Sequence, residues 1–394
     1  MPPMETLRFD AAVVGPGVAG LATALGLAQQ GLKVALVGPR PRVHQPSPAA
    51  PYDARIYALA PGSAALLERL GVWGRVDADR VCPVERMRVF GDAGDELTFD
   101  AYAATVERLA TIVEESELAR VLDAACDYQP AVARIEAAFQ ALDVQSPGTA
   151  ELQLADGRRV SAALLVGADG ANSAVRAAAG ISADVKPYRQ TALVANFECE
   201  RPHLNTAWQW FTDEGIVALL PMPGNRVSLV WSAPEALAPE LQALDAAAFA
   251  ARVTARARHV LGSLTSLGAA HAFPLRLLTV RRLIGPSLAL VGDAAHVVHP
   301  LAGQGLNLGL QDVDALLKVV GEREPFRSCG DPVVLRRYER SRAESIGLMR
   351  FATDGLARLF AVDDPLVRGA RNAGMAVVDR LGPLKSRLIR QALG

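Results

Sequence analysis

Apolar positions in this chain gather into short unbroken runs. Three of these runs end alike, at glycine or aspartate next to glycine, with a helix-forming stretch beyond. Phe9 to Val14 (FDAAVV) runs into Gly15-Pro16-Gly17-Val18-Ala19-Gly20 and then LATALGLAQQG. Ala163 to Arg176 (ALLVGADGANSAVR) passes through Asp169-Gly170 to a second helix start. From Leu288 the chain reads LALVGDAAHVVHPLAGQGLNLGLQD, with Gly292-Asp293 at the end of the run, a glycine-rich turn at Gly303-Gln304-Gly305, and a third helix. Short apolar runs bounded by turn residues predict buried strands. A further run, Lys33 to Val37 (KVALV), closes a βαβ unit with the first.

Between these runs the period changes. Ser63 to Gly71 has helical spacing, with Leu66, Leu67 and Leu70 on one face, and Glu114 to Ala125 is also helical. Met87 to Phe99 alternates as a hairpin around Gly91-Asp92-Ala93-Gly94, and Arg42 to Pro51 reads as an exposed loop. Ala131 to Leu154 fits strands around a short link, although its alanine-rich first part, Ala131 to Ala141, also fits a helix. From Thr191 to Trp231 short β-like runs separated by turns predict an antiparallel sheet. Leu241 to Leu261 predicts helix, and the chain after Leu306 is largely helical to its end.

The chain has 394 residues, 51% of them apolar, enough for two domains or one large interleaved unit. A formal net charge of −1 gives no reason to expect nucleic acid. Cys82, Cys126, Cys199 and Cys329 are scattered without paired spacing, which predicts reduced thiols in a cytoplasmic protein. The start MPPMETLRFD does not read as a signal peptide, and no apolar run approaches the ~20 residues that span a bilayer. A soluble or peripheral protein is expected.

The glycines of the first motif have separable duties. One of Gly15, Gly17 and Gly20 makes the tight turn, one admits a pyrophosphate, and one lets helix and strand pack closely. The helix amides that follow collect partial positive charge, so a dinucleotide is expected here. The acid that usually takes the ribose hydroxyls near the end of the second strand is missing. Gly38-Pro39-Arg40 stands there instead, which shifts the expectation for the adenosine half to Arg40. Gly292 allows close backbone approach and Asp293 offers a carboxylate, either as the cap of a helix beginning at Ala294 or as a ligand to hydroxyls. Asp169 reads either as a helix cap or as a contact to the pyrophosphate region and the path that NAD(P)H would take. Backbone donors at Gly305, Leu306 and Asn307 suit a developing negative charge. His296 and His299 do not read as a metal site: no acid stands between them in HExxH fashion, and Pro300 breaks the helix that would align them.

On the GxGxxG, Asp-Gly and Gly-Asp segments together, the chain resembles the class A flavoprotein monooxygenases. Closer still, DARIYALAPGSAALLERLGVW (Asp53 to Trp73), HPLAGQGLNLGLQD and NTAWQWFTDEGIVALLPMPGNRVSLVW (Asn205 to Trp231) resemble the ubiquinone-biosynthesis hydroxylases, over essentially the whole length. The resemblance implies an α/β fold: a Rossmann-like FAD-binding domain of the p-hydroxybenzoate hydroxylase type, interleaved with an antiparallel β-sheet substrate domain and followed by a helical C-terminus. The expected cofactor pieces are 1–75, 105–180 and 270–330, the substrate pieces 76–104 and 181–269, and the C-terminal region 331–394.

It also implies FAD as cofactor and NAD(P)H as electron donor, bound transiently because no second dinucleotide motif is present. Dioxygen would form a C4a-hydroperoxide that hydroxylates the ring of a polyprenylated phenol. Pro300 would lie against the flavin, with Gly303, Gly305, Leu306 and Asn307 around its anionic end and Gly292 and Asp293 at the ribityl chain. Arg55 would stand close to the flavin, with Arg120 a candidate for the pyrophosphate. His299 reads as a flavin-edge residue or a hydrogen-bonded loop histidine. Trp208, Trp210, Phe211, Trp231 and Phe273 read first as core, while Pro221-Met222-Pro223 would lie on the ring face. Two other readings stay open, a reductase of the same fold that inserts no oxygen and a flavin-binding accessory subunit among other ubiquinone-biosynthesis proteins. Lys385, Arg387 and Arg390 beside Leu388, Ile389 and Leu393 fit either a solvated terminal helix or peripheral contact with the inner face of a membrane.

Overall fold

The computed structural model describes residues 6–41, 44–47, 51–91, 96–143, 148–299 and 304–361. Among these, three sheets carry the architecture. The first is built on the parallel strands β1 (Thr6–Val14), β2 (Val34–Val37), β8 (Val132–Ile135), β11 (Arg159–Gly167) and β19 (Leu288–Leu290). Their order is β19-β11-β1-β2-β8, with β18 (Ile284–Gly285) antiparallel on one edge. The antiparallel strands β9 (Phe139–Asp143) and β10 (Ala150–Leu154) extend it from β11. The stretch 131–141 is therefore two strands around a short link, and its alanines do not make a helix.

Helix α1 (Val18–Gln29) lies between the sheet and α3 (Glu115–Asp127) and α7 (Gln304–Gly321), and is buried at Val18 and at 20–28. Its small residues allow this. A Cβ at Gly26 would stand 2.4 Å from Leu317 Cδ1.

The second sheet runs β20 (His296–Val297), β17 (His271–Val280), β12 (Ala183–Cys199), β15 (Arg226–Pro234), β14 (Gly215–Met222), β13 (Thr206–Thr212), β5 (Arg86–Phe90) and β6 (Glu96–Asp100), with β16 (Leu264–Ser266) also on β12. Only β13 and β5 are parallel neighbours. Alternation sorts its two faces. Leu193, Phe197, Trp208, Trp210, Leu229 and Trp231 point to one side and pack on α5 (Ala238–Ala243) and α6 (Ala246–Arg256). Trp210 and Trp231 are wholly buried there, so these aromatics are core. The expected single helix over 241–261 is instead two. Leu244 is extended, and the Asp245 carboxylate accepts from Ala248 N at 2.8 Å, restarting the helix as an N-cap. Strand β17, within the span expected to join the cofactor pieces, is hydrogen-bonded along β12.

The third sheet, β3 (Ile56–Leu59), β7 (Ala110–Glu114) and β4 (Val81–Val84), lies against the other face of the second. Two short helices, α2 (Pro61–Arg69) and α4 (Ala174–Ala178), follow β3 and β11. The long α8 (Pro332–Ala361) docks by its first turns: Val334, Leu335 and Tyr338 are buried in the cofactor core, and Tyr338 donates its hydroxyl to Leu290 O at 2.7 Å.

One buried carboxylate joins α7, α8 and the turn after β19. Asp312 accepts from Gly292 N (3.0 Å) and Arg342 Nε (2.7 Å), and its Oδ2 lies 2.6 Å from His296 Nε2. Asp312 is fully buried, His296 and Arg342 nearly so. Removing one member of such a set leaves an uncompensated buried charge, so Asp312→Asn lowers unfolding free energy by about 3–5 kcal/mol in urea titrations. Asp314→Asn, which loses only an exposed pair with Arg69, changes it by less than about 1 kcal/mol.

Candidate active site

The site forms where three strand ends meet. Gly15 has φ +113°, and a Cβ there would lie 2.3 Å from Ala168 O and 2.8 Å from Asp169 Cα. A Cβ at Gly20 would lie 1.9 Å from Gly15 O. These two glycines are demanded by protein against protein. Gly17 differs: it is the N-cap of α1, no side chain caps the helix, and nothing lies within 4 Å of where its Cβ would be. Bare first-turn amides beneath open space fit the pyrophosphate of FAD.

Asp169 spends its carboxylate inside the chain, accepting from Ser173 Oγ (2.5 Å) and Val175 N (3.0 Å), and so orders the start of α4. Arg176, also buried, donates to Ala171 O and Ala294 O and ties the Asp-Gly loop to the turn after β19. The missing acid has a steric cause. Gly38 has φ +141°, and a Cβ there would stand 2.9 Å from Pro16 Cδ. Arg40 is held by Asp127 (2.6 Å), Glu136 (3.0 Å) and Asp123 (3.4 Å) beyond the ends of β2 and β8.

Residues 292–294 form one turn of 3-10 helix, and no α-helix begins at Ala294, which removes the cap reading of Asp293. The Asp293 side chain reaches solvent, yet protein crowds it on most sides. Its carboxyl is pushed upward mainly by that crowding, with Glu115 adding and His296, Arg55 and Arg276 opposing. Arg55 pairs with Glu115 (3.0 Å) and covers the Phe273 ring at 5.4 Å. Asp53 fixes this segment: its carboxylate accepts from Arg55 N and Ser116 N at the start of α3, and Asn196 Nδ2 donates to Asp53 O (2.9 Å). Arg120 is bound within its own helix to Glu117, and to Arg75 O.

Helix α7 presents Gly305 to open space, with nothing within 4 Å of its Cβ position. The first-turn amides of a helix have no partners within it, and those of Gly305 and Leu306 stand at the end of α7 where partial positive charge collects. The Asn307 side chain has a separate duty. Its Oδ1 accepts from Ala60 N (2.7 Å) and its Nδ2 donates to Ala58 O (2.8 Å), clamping α7 to the β3–α2 junction. Pro300 and Gly303 lie outside the described residues. His299 is wholly buried, with Nε2 2.9 Å from Gln190 Oε1 at a bulge in β12 and its ring edge-on to Tyr188. Burial lowers its pKa to about 4, so it is neutral. Met222 is packed against Cys82, Val84 and Ile112. Sequence reasoning passed over Asp312, Arg342, Asn196 and Gln190; for Asp312 the available signal was its place at the end of the glycine-rich block.

Fold and site together define an FAD-dependent monooxygenase. Residues 8–349 match the family model of the FAD binding domain. The chain is 37% identical to the 3-demethoxyubiquinol 3-hydroxylase of Escherichia coli, across 99% of this chain and 100% of that one. It is also 37% identical to the ubiquinone hydroxylase UbiL of Rhodospirillum rubrum, across 98% and 89%. The crystal structure of PqsL from Pseudomonas aeruginosa superposes with a TM-score of 0.79 at 24% identity, across 94% of this chain and 100% of that one, and shows the shared fold. The chain belongs to the FAD-binding monooxygenase family, in the group of the ubiquinone-biosynthesis hydroxylases.

The two classes of glycine separate in experiment. Gly15→Ala destabilises the apoprotein by at least about 2 kcal/mol in thermal unfolding. Gly17→Val costs less than about 1 kcal/mol of that stability, the loss of a favoured N-cap residue, and weakens FAD binding roughly tenfold or more by flavin fluorescence. His299 titrates at about 4 when folded against about 6.5 when unfolded. The unfolded chain therefore binds the extra proton first, and this contribution is present above pH 6.5 and lost as pH falls toward 4. His299→Gln removes about 3 kcal/mol of acid sensitivity over that window in unfolding measured from pH 8 to 4.

Proposed function

We propose that this protein hydroxylates the aromatic ring of a polyprenylated phenol or quinol intermediate in ubiquinone synthesis, using dioxygen and electrons from NAD(P)H. The observation that carries the reading is end-to-end similarity to the E. coli 3-demethoxyubiquinol 3-hydroxylase. Bound FAD supplies the chemistry, taking electrons from the donor and activating dioxygen when reduced. The chain's own residues bind, orient and exclude water. The amides beneath Gly17 hold the pyrophosphate, and Asp293 meets the ribityl hydroxyls. The α7 amides at Gly305 and Leu306 stabilise negative charge at the flavin without reorganising, while the Asn307 side chain holds that end of α7 to the β3–α2 junction.

The second sheet offers a dry wall to the substrate. Neutral His299 adds no charge beside it, and Arg55, with Glu115 as counter-ion, sits at the mouth. A prenylated substrate resides in membrane, so the protein works at a membrane surface; the basic segment of Lys385, Arg387 and Arg390 lies outside the described residues. No helix among the described residues is long and apolar enough to cross a bilayer.

The test is single-turnover reaction of photoreduced, FAD-loaded protein with 18O-labelled dioxygen and 2-geranylphenol. One 18O atom in a ring-hydroxylated product is the expected result. Flavin reoxidation with unaltered phenol would overturn the proposal.

A further inference from the structure

Strand β3 turns alternate side chains to two different neighbours. Ile56 and Ala58 pack between the second and third sheets, while Tyr57 and Leu59 pack on the cofactor core. The strand is fixed on both sides of Tyr57. Asn307 on α7 bonds Ala58 O and Ala60 N, and Arg55 pairs with Glu115 on α3 at 3.0 Å. Tyr57 therefore stands between the first turn of α7 and that ion pair. Leu59 is sealed, but Tyr57 is partly open to solvent, as are Arg55 and Asp293. The charges of Glu115, Asp293 and Arg55 all bear on its hydroxyl, so the three side chains border one open space.

The Tyr57 hydroxyl has no hydrogen-bond partner among the described residues, and it is not one of the oxygens sealed away from solvent. A phenylalanine would pack on the core equally well, so the fold makes no use of the oxygen. Crowding by protein, then the Glu115 and Asp293 carboxylates, push its pKa upward against Arg55, and the phenol keeps its proton at neutral pH. Two carboxylates so close make the spot a poor one for phosphate and a good one for a neutral polyol. Each hydroxyl of a polyol both donates and accepts. As a carboxylate Asp293 can only accept, which leaves a donor to be supplied from elsewhere. We infer that the Tyr57 hydroxyl supplies it, as a second contact to the ribityl chain of FAD beside Asp293. The inference rests on the placing of Asp293 at the ribityl hydroxyls proposed above and adds a residue that the glycine and aspartate motifs do not contain.

Tyr57→Phe removes the oxygen and keeps the ring. Full-length protein stripped of flavin is titrated with FAD and followed by flavin fluorescence. ADP, which carries adenosine and pyrophosphate without the ribityl chain, is measured by competition with FAD. Tyr57→Phe weakens FAD binding roughly three- to tenfold, the worth of one hydrogen bond, and leaves ADP binding unchanged. The unfolding temperature of the flavin-free protein is unchanged or higher. Undiminished FAD affinity in Tyr57→Phe would overturn the inference and leave the hydroxyl to solvent. An equal loss for FAD and ADP would overturn it too, by moving the contact to the pyrophosphate half. A lowered unfolding temperature with FAD affinity intact would assign the oxygen to the fold alone. Asp293→Ala, titrated in parallel, tests the placing on which the inference rests: unaltered FAD affinity there would overturn the ribityl reading of Asp293 itself, whatever Tyr57→Phe does.

Discussion

Asp312 carries its charge where water does not reach, and a carboxylate in that position costs several kcal/mol unless donors surround it. Three converge on it, from the turn after β19, from His296, and from Arg342 on α8. The arrangement depends on how closely α7 lies on the turn. A Cβ on Gly309 would stand 3.0 Å from Gly292 Cα, so both positions are kept bare and the helix settles against backbone. Asp293, next in the turn, inherits its position from this packing. So do the first-turn amides of α7, two turns upstream of Asp312. The flavin end of the site is thus oriented from behind, by a charge that touches neither cofactor nor substrate.

The second sheet divides labour between its faces. Tryptophan and leucine on one side make it stiff against α5 and α6. On the other side, Leu220 and Met222 pack on the third sheet while Val194, Ala218 and Val230 stay partly open. Alternation with a period of two produces both surfaces from the same strands. A wall needed for binding is therefore rigid without any loop having to order around the ligand.

Local requirements were the ones a reader of the sequence could recover. Gly15, Gly17 and Gly20, the Asp-Gly and Gly-Asp turns, and the alternating runs from Thr191 to Trp231 each announce themselves within a few residues, because the backbone demand is met on the spot. The Ala131–Ala141 ambiguity and the break at Asp245 are failures of propensity: alanine tolerates strand or helix according to what it packs on. The rest depends on distance. Asn307 is paired with Ala58 and Ala60, nearly 250 residues earlier, and Arg40 with acids from α3 and the end of β8. Asp312 looks like any polar residue of an amphipathic helix until its three partners arrive. Its one local mark is its place at the end of the glycine-rich block.

The contact between Gly38 and Pro16 also constrains the order in which this lineage can change. A carboxylate at position 38 must pass through a backbone conformation that side chains rarely adopt and through the Pro16 ring. Pro16 must give way first, and only then does an acid at 38 become accessible. Even then the backbone at 38 must leave its φ of +141°, so an acid there needs a reshaped turn as well as a changed residue 16.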